Sequence, residues 1–506
     1  MLCLPTSRPT QGGDPQDQDL KEVSMQTVRQ TQTSSRWRMR HVRTLIMGAT
    51  AVTAALSVVG LTATAQAAPD VTVSKTVNVP AGVATFILSP ACPSGNTASL
   101  SSSTPALPSS VTAVVASTKL KLSGVWPASP TSYKVKVGCS GGSTITLTVK
   151  IQSAPPENSA VGLGANTQQG LVDQFSGDYN ATISSSTASR LYNWDATNPV
   201  TGAIGDTIAV KQDCSSIPRP DGASAGITQL AKFAKTSDNK YFCDNFANDS
   251  RVRESSDPPY APGGVAFTAL AGDAVDWATP STTDAPKTLT PAQLNAIYTC
   301  TDTNWDQVGG KNATIQPFLP QSGAGTLTFW LAAIGVTTPG PCVSNDNNTL
   351  EENEGVNPVL QTPEAIWIYS VGDYISQKFH SSSCTNSGCT GTPPCAPAKG
   401  KNLFSCNVHG TYTVKEINGI APTKGKNAGT VINPSFPSTF LRTLFTVVPY
   451  DANTTDHIPG SESGAPGGVN LEKIFGASGW VCTNGTAKAD IKDYGFVPLS
   501  TCGTTS

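Results

Sequence analysis

Ser322-Gly323-Ala324-Gly325-Thr326 runs directly into Leu327, Trp330, Leu331 and Ile334, four apolar residues at helical spacing. The same device occurs twice earlier. Gly164-Ala165-Asn166-Thr167 precedes Leu171, Phe175 and Tyr179, and Gly222-Ala223-Ser224-Ala225-Gly226 precedes Ile227, Leu230 and Phe233. Glycine lets a backbone approach closely, and the first turn of a helix presents free N–H groups under a partial positive charge. Three such ends facing one cleft would hold an oxyanion or another polar group without a metal.

Around these turns the texture is α/β. Val161 to Leu163 and Gly264 to Leu270 read as strands, the second ending at an Ala-Gly break. Ile315 to Leu319 reads as a strand entering the third turn, and Pro291 to Tyr298 as a helix with Thr290 as N-cap. Ligands of such folds sit where strand C-termini face helix N-termini. From Asp70 to Ile151 the pattern is instead all β. Leu120, Leu122, Tyr133, Val135, Val137, Ile145, Leu147 and Val149 alternate with polar residues, predicting six or seven short strands in an immunoglobulin-like sandwich, a spacer or an adhesive module. Gln152 to Asn158 is a linker by composition.

The N-terminal part carries a basic Arg38-Met39-Arg40-His41-Val42-Arg43, an apolar run from Leu45 to Leu61, and Ala65-Gln66-Ala67 before Ala68, the pattern of a secretory signal peptide. Ala68 rather than cysteine follows the cleavage site, which argues against a lipid anchor, and Met39 reads as an alternative start. No later run is apolar for the roughly 18 residues a spanning helix requires. The expected location is secreted, extracellular or in the cell envelope, with about 440 residues after cleavage and two or three domains.

Thirteen cysteines occur, and Cys3 lies ahead of the signal. The even remainder in an oxidising compartment predicts disulfides. Spacing suggests local pairs, Cys92–Cys139, Cys214–Cys243, Cys300–Cys342 and Cys482–Cys502, with two bridges among Cys384, Cys389, Cys395 and Cys406. A zinc site in that last cluster has the weaker claim, because its spacing matches no ribbon or knuckle. Charged residues are 13% of the chain and the formal net charge is −2, so no basic field for nucleic acid and no polybasic membrane patch exists.

Gly222-Ala223-Ser224-Ala225-Gly226 satisfies the G-x-S-x-G pattern of a serine hydrolase, with His380, His409 and His457 downstream. Its context argues against that role, since no buried apolar strand precedes it and the histidines read as solvated loop residues. Asp273 with Asp276, and Glu351, Glu352 and Glu354, offer paired carboxylates, for which plain exposure is the favoured reading. No phosphate-loop lysine or dinucleotide pattern follows any turn, and neither metal nor cofactor is expected.

Leu289-Thr290-Pro291-Ala292-Gln293-Leu294-Asn295-Ala296-Ile297-Tyr298, Asn304-Trp305-Asp306-Gln307-Val308-Gly309-Gly310 and Ser322-Gly323-Ala324-Gly325-Thr326 closely resemble motifs of the phosphate-binding proteins of phosphate ABC transporters. These are type II periplasmic-binding proteins, and the resemblance runs from about residue 160 to the end, where Ile474-Phe475-Gly476 and Asp493 to Leu499 also fit. It implies an α/β, two-lobed fold behind the N-terminal sandwich. The division is an N-terminal extension with signal peptide over 1–67, the sandwich over 68–152, a linker over 153–159 and the solute-binding domain over 160–506. Lobe 1 then covers about 160–268 and 445–506, lobe 2 about 269–444, and crossing strands lie near Val265 to Leu270 and Leu444 to Pro449. The ligand contacts map to Asn166 and Thr167, Ser224, Asp249 and Ser250, and Ala324, Gly325 and Thr326.

Charge is where the sequence departs from the family. The arginine ahead of the third turn is replaced by Pro320-Gln321, and a lost charged hydrogen bond is worth about 1.5 to 3 kcal/mol. Arg219 or Arg251 could substitute, with surface or interlobe salt bridging an equal alternative. The resemblance implies a non-catalytic solute-binding protein for a small oxyanion, with an ABC permease or cell-wall component as partner. A surface adhesion protein that keeps the fold as a scaffold is the second expectation. For the solute-binding protein, Trp305 and Trp330, flanking the third turn, are expected to report closure.

Overall fold

The computed structural model describes residues 73–380 and 408–506, apart from 89–91, 93–95, 117–118, 185–187, 200 and 462–468. The signal-like segment and the cysteines at 384, 389, 395 and 406 lie outside the described residues, as does the side chain of His380.

Seven strands build two facing sheets at the start of the described chain. One is ordered Val73–Pro80, Thr144–Gln152, Ser132–Cys139, Ala98–Thr104, and the other Ala84–Leu88, Lys119–Val125, Val111–Ala116. Strict alternation in Ser132–Cys139 and Thr144–Gln152 turns Tyr133, Val135, Val137, Ile145, Leu147 and Val149 inward, around Trp126 and the Cys92–Cys139 disulfide. Trp126 meets Tyr133 edge to face at 5.3 Å. The linker-like residues are held rather than loose: Ala154 and Ser159 are buried, and the Pro155 carbonyl accepts from the Gln212 amide at 2.8 Å. Val83 packs with Val161, Leu163, Tyr192 and Trp194, which seats the sandwich on the following α/β part.

That part is organised by one sheet ordered Gln316–Pro317, Ala365–Ser370, Val265–Thr279, Leu441–Pro449, Phe246–Asp249, Ala160–Gly164, Leu191–Asn193. Val265–Thr279 is buried along all its 15 residues. It pairs antiparallel with Leu441–Pro449 over its first two thirds and with Ala365–Ser370 over its end, so one strand serves both lobes. The expected Ala-Gly break does not occur. Ala271 and Gly272 stay in the strand, and the irregularity is only a register shift between Ala269 and Ala271, because flanking strands on both sides supply hydrogen-bond partners.

Three helices grow from the three turns: α1 (Gln169–Thr182), α2 (Ala223–Leu230) and, after α3 (Pro291–Tyr298), α4 (Gly325–Ala333). Leu171 and Phe175 of α1 enter one core with Phe246, Leu444 and Ile474. Leu294 and Ile297 of α3 and Trp330 of α4 enter a second with Trp277, Trp305 and Ile368. Phe233, placed on α2 by spacing, lies past its end at a positive φ of 47°. The strand expected over Ile315 to Leu319 is reduced to Gln316–Pro317. Disulfides also join Cys214–Cys243, Cys300–Cys342 and Cys482–Cys502.

Candidate functional site

The three turns meet. Gly164 bridges Asp221, and a Cβ on Gly226 would stand 2.7 Å from the Gly164 Cα, so only glycine lets the first and second turns lie this close. Across the lobes, the Ser224 amide donates to the Gly323 carbonyl at 3.3 Å. The hydroxyls of Thr167 and Thr326 lie 3.2 Å apart, both side chains buried. Gly325 sits against Ser250, where an added Cβ would come within 2.5 Å of the Ser250 Oγ. Asn166, Thr167, Ser224, Ser250, Ala324, Gly325 and Thr326 therefore occupy one crevice.

The helix starts at this crevice have no side-chain caps. Neither Gln168 of α1, Gly222 of α2 nor Ala324 of α4 hydrogen-bonds a first-turn amide with its side chain. Gly222 holds φ at 87°, which sends the chain into α2 without an N-cap oxygen. Gln168 instead donates to the carbonyls of Asp249 and Phe445 at 3.0 and 2.9 Å. Three dipole ends without side-chain caps in one cleft favour negative charge, although the Gln169 and Ser224 amides already donate to the Asn166 and Gly323 carbonyls.

The guanidinium at this crevice is Arg442, on the returning central strand. It is buried against Asp273, with Nε and Nη2 at 2.9 and 2.8 Å from Oδ2, while Nη1 donates to the Ser250 carbonyl and to Thr326 Oγ1, each at 2.9 Å. Arg219 and Arg251 are placed otherwise. Arg219 is bound to Asp206 and the Asp195 carbonyl beside Trp194, and Arg251 forks onto Asp257 at 2.7 and 2.8 Å. Arg442 was not foreseen; its signal was a single cation within the strand-like run Leu441–Pro449.

Two carboxylate groups read as exposed are buried. Asp273 holds Arg442, and Asp276 accepts from the Lys415 amide at 3.0 Å. Glu351 and Glu352 are buried beside the first two turns. Asn166 Nδ2 donates to Glu351 Oε2 at 2.8 Å, and Gln321, in the vacated arginine position, reaches Asp221 at 3.4 Å. Burial and the neighbouring negative charges raise Glu351 to about 9 and Glu354 to about 7, and burial raises Asp221 to about 6. Asp249, buried at the inner end of its strand, is pushed up to about 8 by the same desolvation. Asp249 Oδ2, Ser250 Oγ, Asn166 Oδ1, Glu351 Oε1 and both Glu352 oxygens are buried with no hydrogen-bond partner among the described residues. Buried polar groups of this kind ordinarily have a partner in protein, water or a bound molecule.

Ser224 has no histidine partner among the described residues. His409 is buried rather than solvated, packed on Tyr374 and held down to about 4 by burial and by Lys378, and His457 stacks on Tyr450 at 4.4 Å. Trp305 and Trp330 are fully buried in the second lobe's core rather than facing the crevice, so they are poor reporters of closure. No set of three metal-ligating side chains and no helix long and apolar enough to cross a membrane occurs among the described residues.

Residues 172–409 match a family model described as a PBP superfamily domain. The match spans the second and third turns but not the first, nor the strand that brings Arg442 to the crevice. Among solved structures, the chain is similar to one with bound phosphate from Clostridium perfringens, described as a phosphate ABC transporter substrate-binding protein, at 12% identity and a TM-score of 0.40 over 68% of this chain and 100% of that one. It is also similar to an ABC-type phosphate transport receptor from Vibrio cholerae (16%, TM-score 0.38, 67% and 100%) and to PstS from Borrelia burgdorferi (14%, TM-score 0.33, 68% and 98%). No curated protein sequence matches.

Proposed function

We propose that this chain is an exported, non-catalytic solute-binding protein that closes two lobes over a small oxyanion-bearing solute. The observation that carries this reading is the convergence of three uncapped helix starts on one crevice with the buried Arg442 beside them. Backbone amides and one guanidinium suit a planar or tetrahedral oxyanion, phosphate or a relative of it. Asn166, Thr167, Ser224, Ser250, Gly325 and Thr326 supply contacts, and Asp249, uncharged at neutral pH when its proton is retained, is a donor to the anion rather than a repelling charge. Cleavage near Ala67–Ala68, the Ig-like sandwich over 68–152 as a spacer, the binding domain over 160–506 and delivery to an ABC permease complete the reading.

Native mass spectrometry of the secreted protein tests it, paired with melting curves in millimolar phosphate and sulfate. A ligand at a hundred times its dissociation constant adds about 2.7 kcal/mol of stability, which gives a clear rise in melting temperature. No retained mass and no rise with either anion would overturn the oxyanion reading, and a stable complex with cell-wall material instead would favour the adhesion scaffold.

A further inference from the structure

The crevice has two chemically opposite ends. At one, the helix starts and Arg442 offer donors; at the other, Asn166 Oδ1, Glu351 Oε1 and both oxygens of Glu352 are four buried acceptors without a donor among the described residues. Glu352 is 3% exposed and Glu351 7%. The two ends are neighbours, because Asn166 belongs to the first turn and its amide nitrogen reaches Glu351 at 2.8 Å. Asp221 adds a third carboxyl there, in contact with Glu351 and Gln321. The one guanidinium of the crevice is already neutralised by Asp273.

Resting on the oxyanion reading, we infer that the solute is a zwitterion, an oxyanion that carries an ammonium group, with the ammonium held by Glu351, Glu352 and the Asn166 carbonyl oxygen. A bare dianion would leave the acceptors facing one another, and a buried polar group without a partner costs more than its hydrogen bond would gain. An ammonium supplies three N–H donors and one positive charge, which suits the unpartnered oxygens of Glu352 and Asn166. The donor set offers no cage for a metal ion.

Calorimetry with inorganic phosphate, phosphoethanolamine and ethanolamine on the whole secreted protein decides it. Phosphoethanolamine is expected to bind about tenfold or more tighter than phosphate, the scale of one charged hydrogen bond. Glu352→Gln is expected to weaken phosphoethanolamine and to strengthen phosphate, since removing a negative charge helps a bare anion. Phosphate binding as tightly as phosphoethanolamine, or a Glu352→Gln chain that weakens both equally, overturns the zwitterion alone. Failure of all three probes overturns the oxyanion reading with it, and ethanolamine binding alone leaves the acidic end as a cation site without an anion partner, which also overturns the inference. Should Glu352→Gln not fold, the ratio of phosphoethanolamine to phosphate affinity in the unchanged protein decides the inference alone.

Discussion

Helices α3 and α4 stand in one lobe, pack into one core and are almost equally long, yet they start in opposite ways. At α3, Thr290 accepts from the Gln293 amide while the Gln293 side chain accepts from the Thr290 amide, a complete capping box with Pro291 in the first turn. At α4, Ala324 offers no side-chain oxygen, and the first turn opens on the crevice with Arg442 on Thr326. A cap satisfies the orphan amides and adds stability; its absence keeps them for something else. The helix Gly485–Asp493 near the C-terminus is capped by Asn484. Among the described helices of eight residues or more, the uncapped three are those that meet.

The comparison breaks most visibly at Arg442. Arg442→Met leaves Asp273 buried without its partner and should cost about 3 to 5 kcal/mol, read as a lower urea midpoint. A loss below about 1 kcal/mol, the scale of a surface ion pair, would mean that the guanidinium does not support α4. Gly325→Val comes next, since its Cβ alone would crowd Ser250 Oγ and lie 3.3 Å from the Ala223 Cβ. Phosphate affinity should fall about a hundredfold through blocked closure, whereas unchanged calorimetry would place closure elsewhere.

Acidity separates the two helix starts further. Asp221, Glu354 and Glu351 are raised to about 6, about 7 and about 9, so the folded chain keeps protons that the unfolded chain loses near pH 4. Stability then falls as pH rises through that window, because the native state binds more protons. Glu351→Gln should flatten the decline between about pH 6 and 9, a range set by those shifts; identical melting-temperature slopes in both chains would show that the crevice carboxyls do not drive it. The smallest effect belongs to α3: Thr290→Ala should cost about 1 kcal/mol and leave phosphate affinity untouched, and a change in affinity would tie the capped helix to the crevice.

Much of this was legible from residues alone. The turns, the α3 cap, the alternating core of the sandwich and four cysteine pairs each follow from local spacing or local chemistry. What was misread had one cause. Glu351, Glu352, Asp273 and His409 read as exposed because a polar residue carries no local signal of burial; tertiary packing buries all four, Asp273 inside the central strand Val265–Thr279. Arg219 and Arg251 lie next to the right turns in sequence, but Asp206 and Asp257 bind them first, and no spacing rule predicts which carboxylate wins.

The chain by itself set where helices begin, which of them lack caps and which strands alternate, since those depend on neighbours within a few positions. Only tertiary structure decided that residues 164, 222 and 325 face one another, that Arg442 from a strand more than a hundred residues past the third turn stands beside Thr326, and that acceptors gather opposite the donors. Convergence of distant segments is fixed by the pairing of Val265–Thr279 with Leu441–Pro449, and that pairing arises from the burial of a whole sheet rather than from any short stretch of sequence.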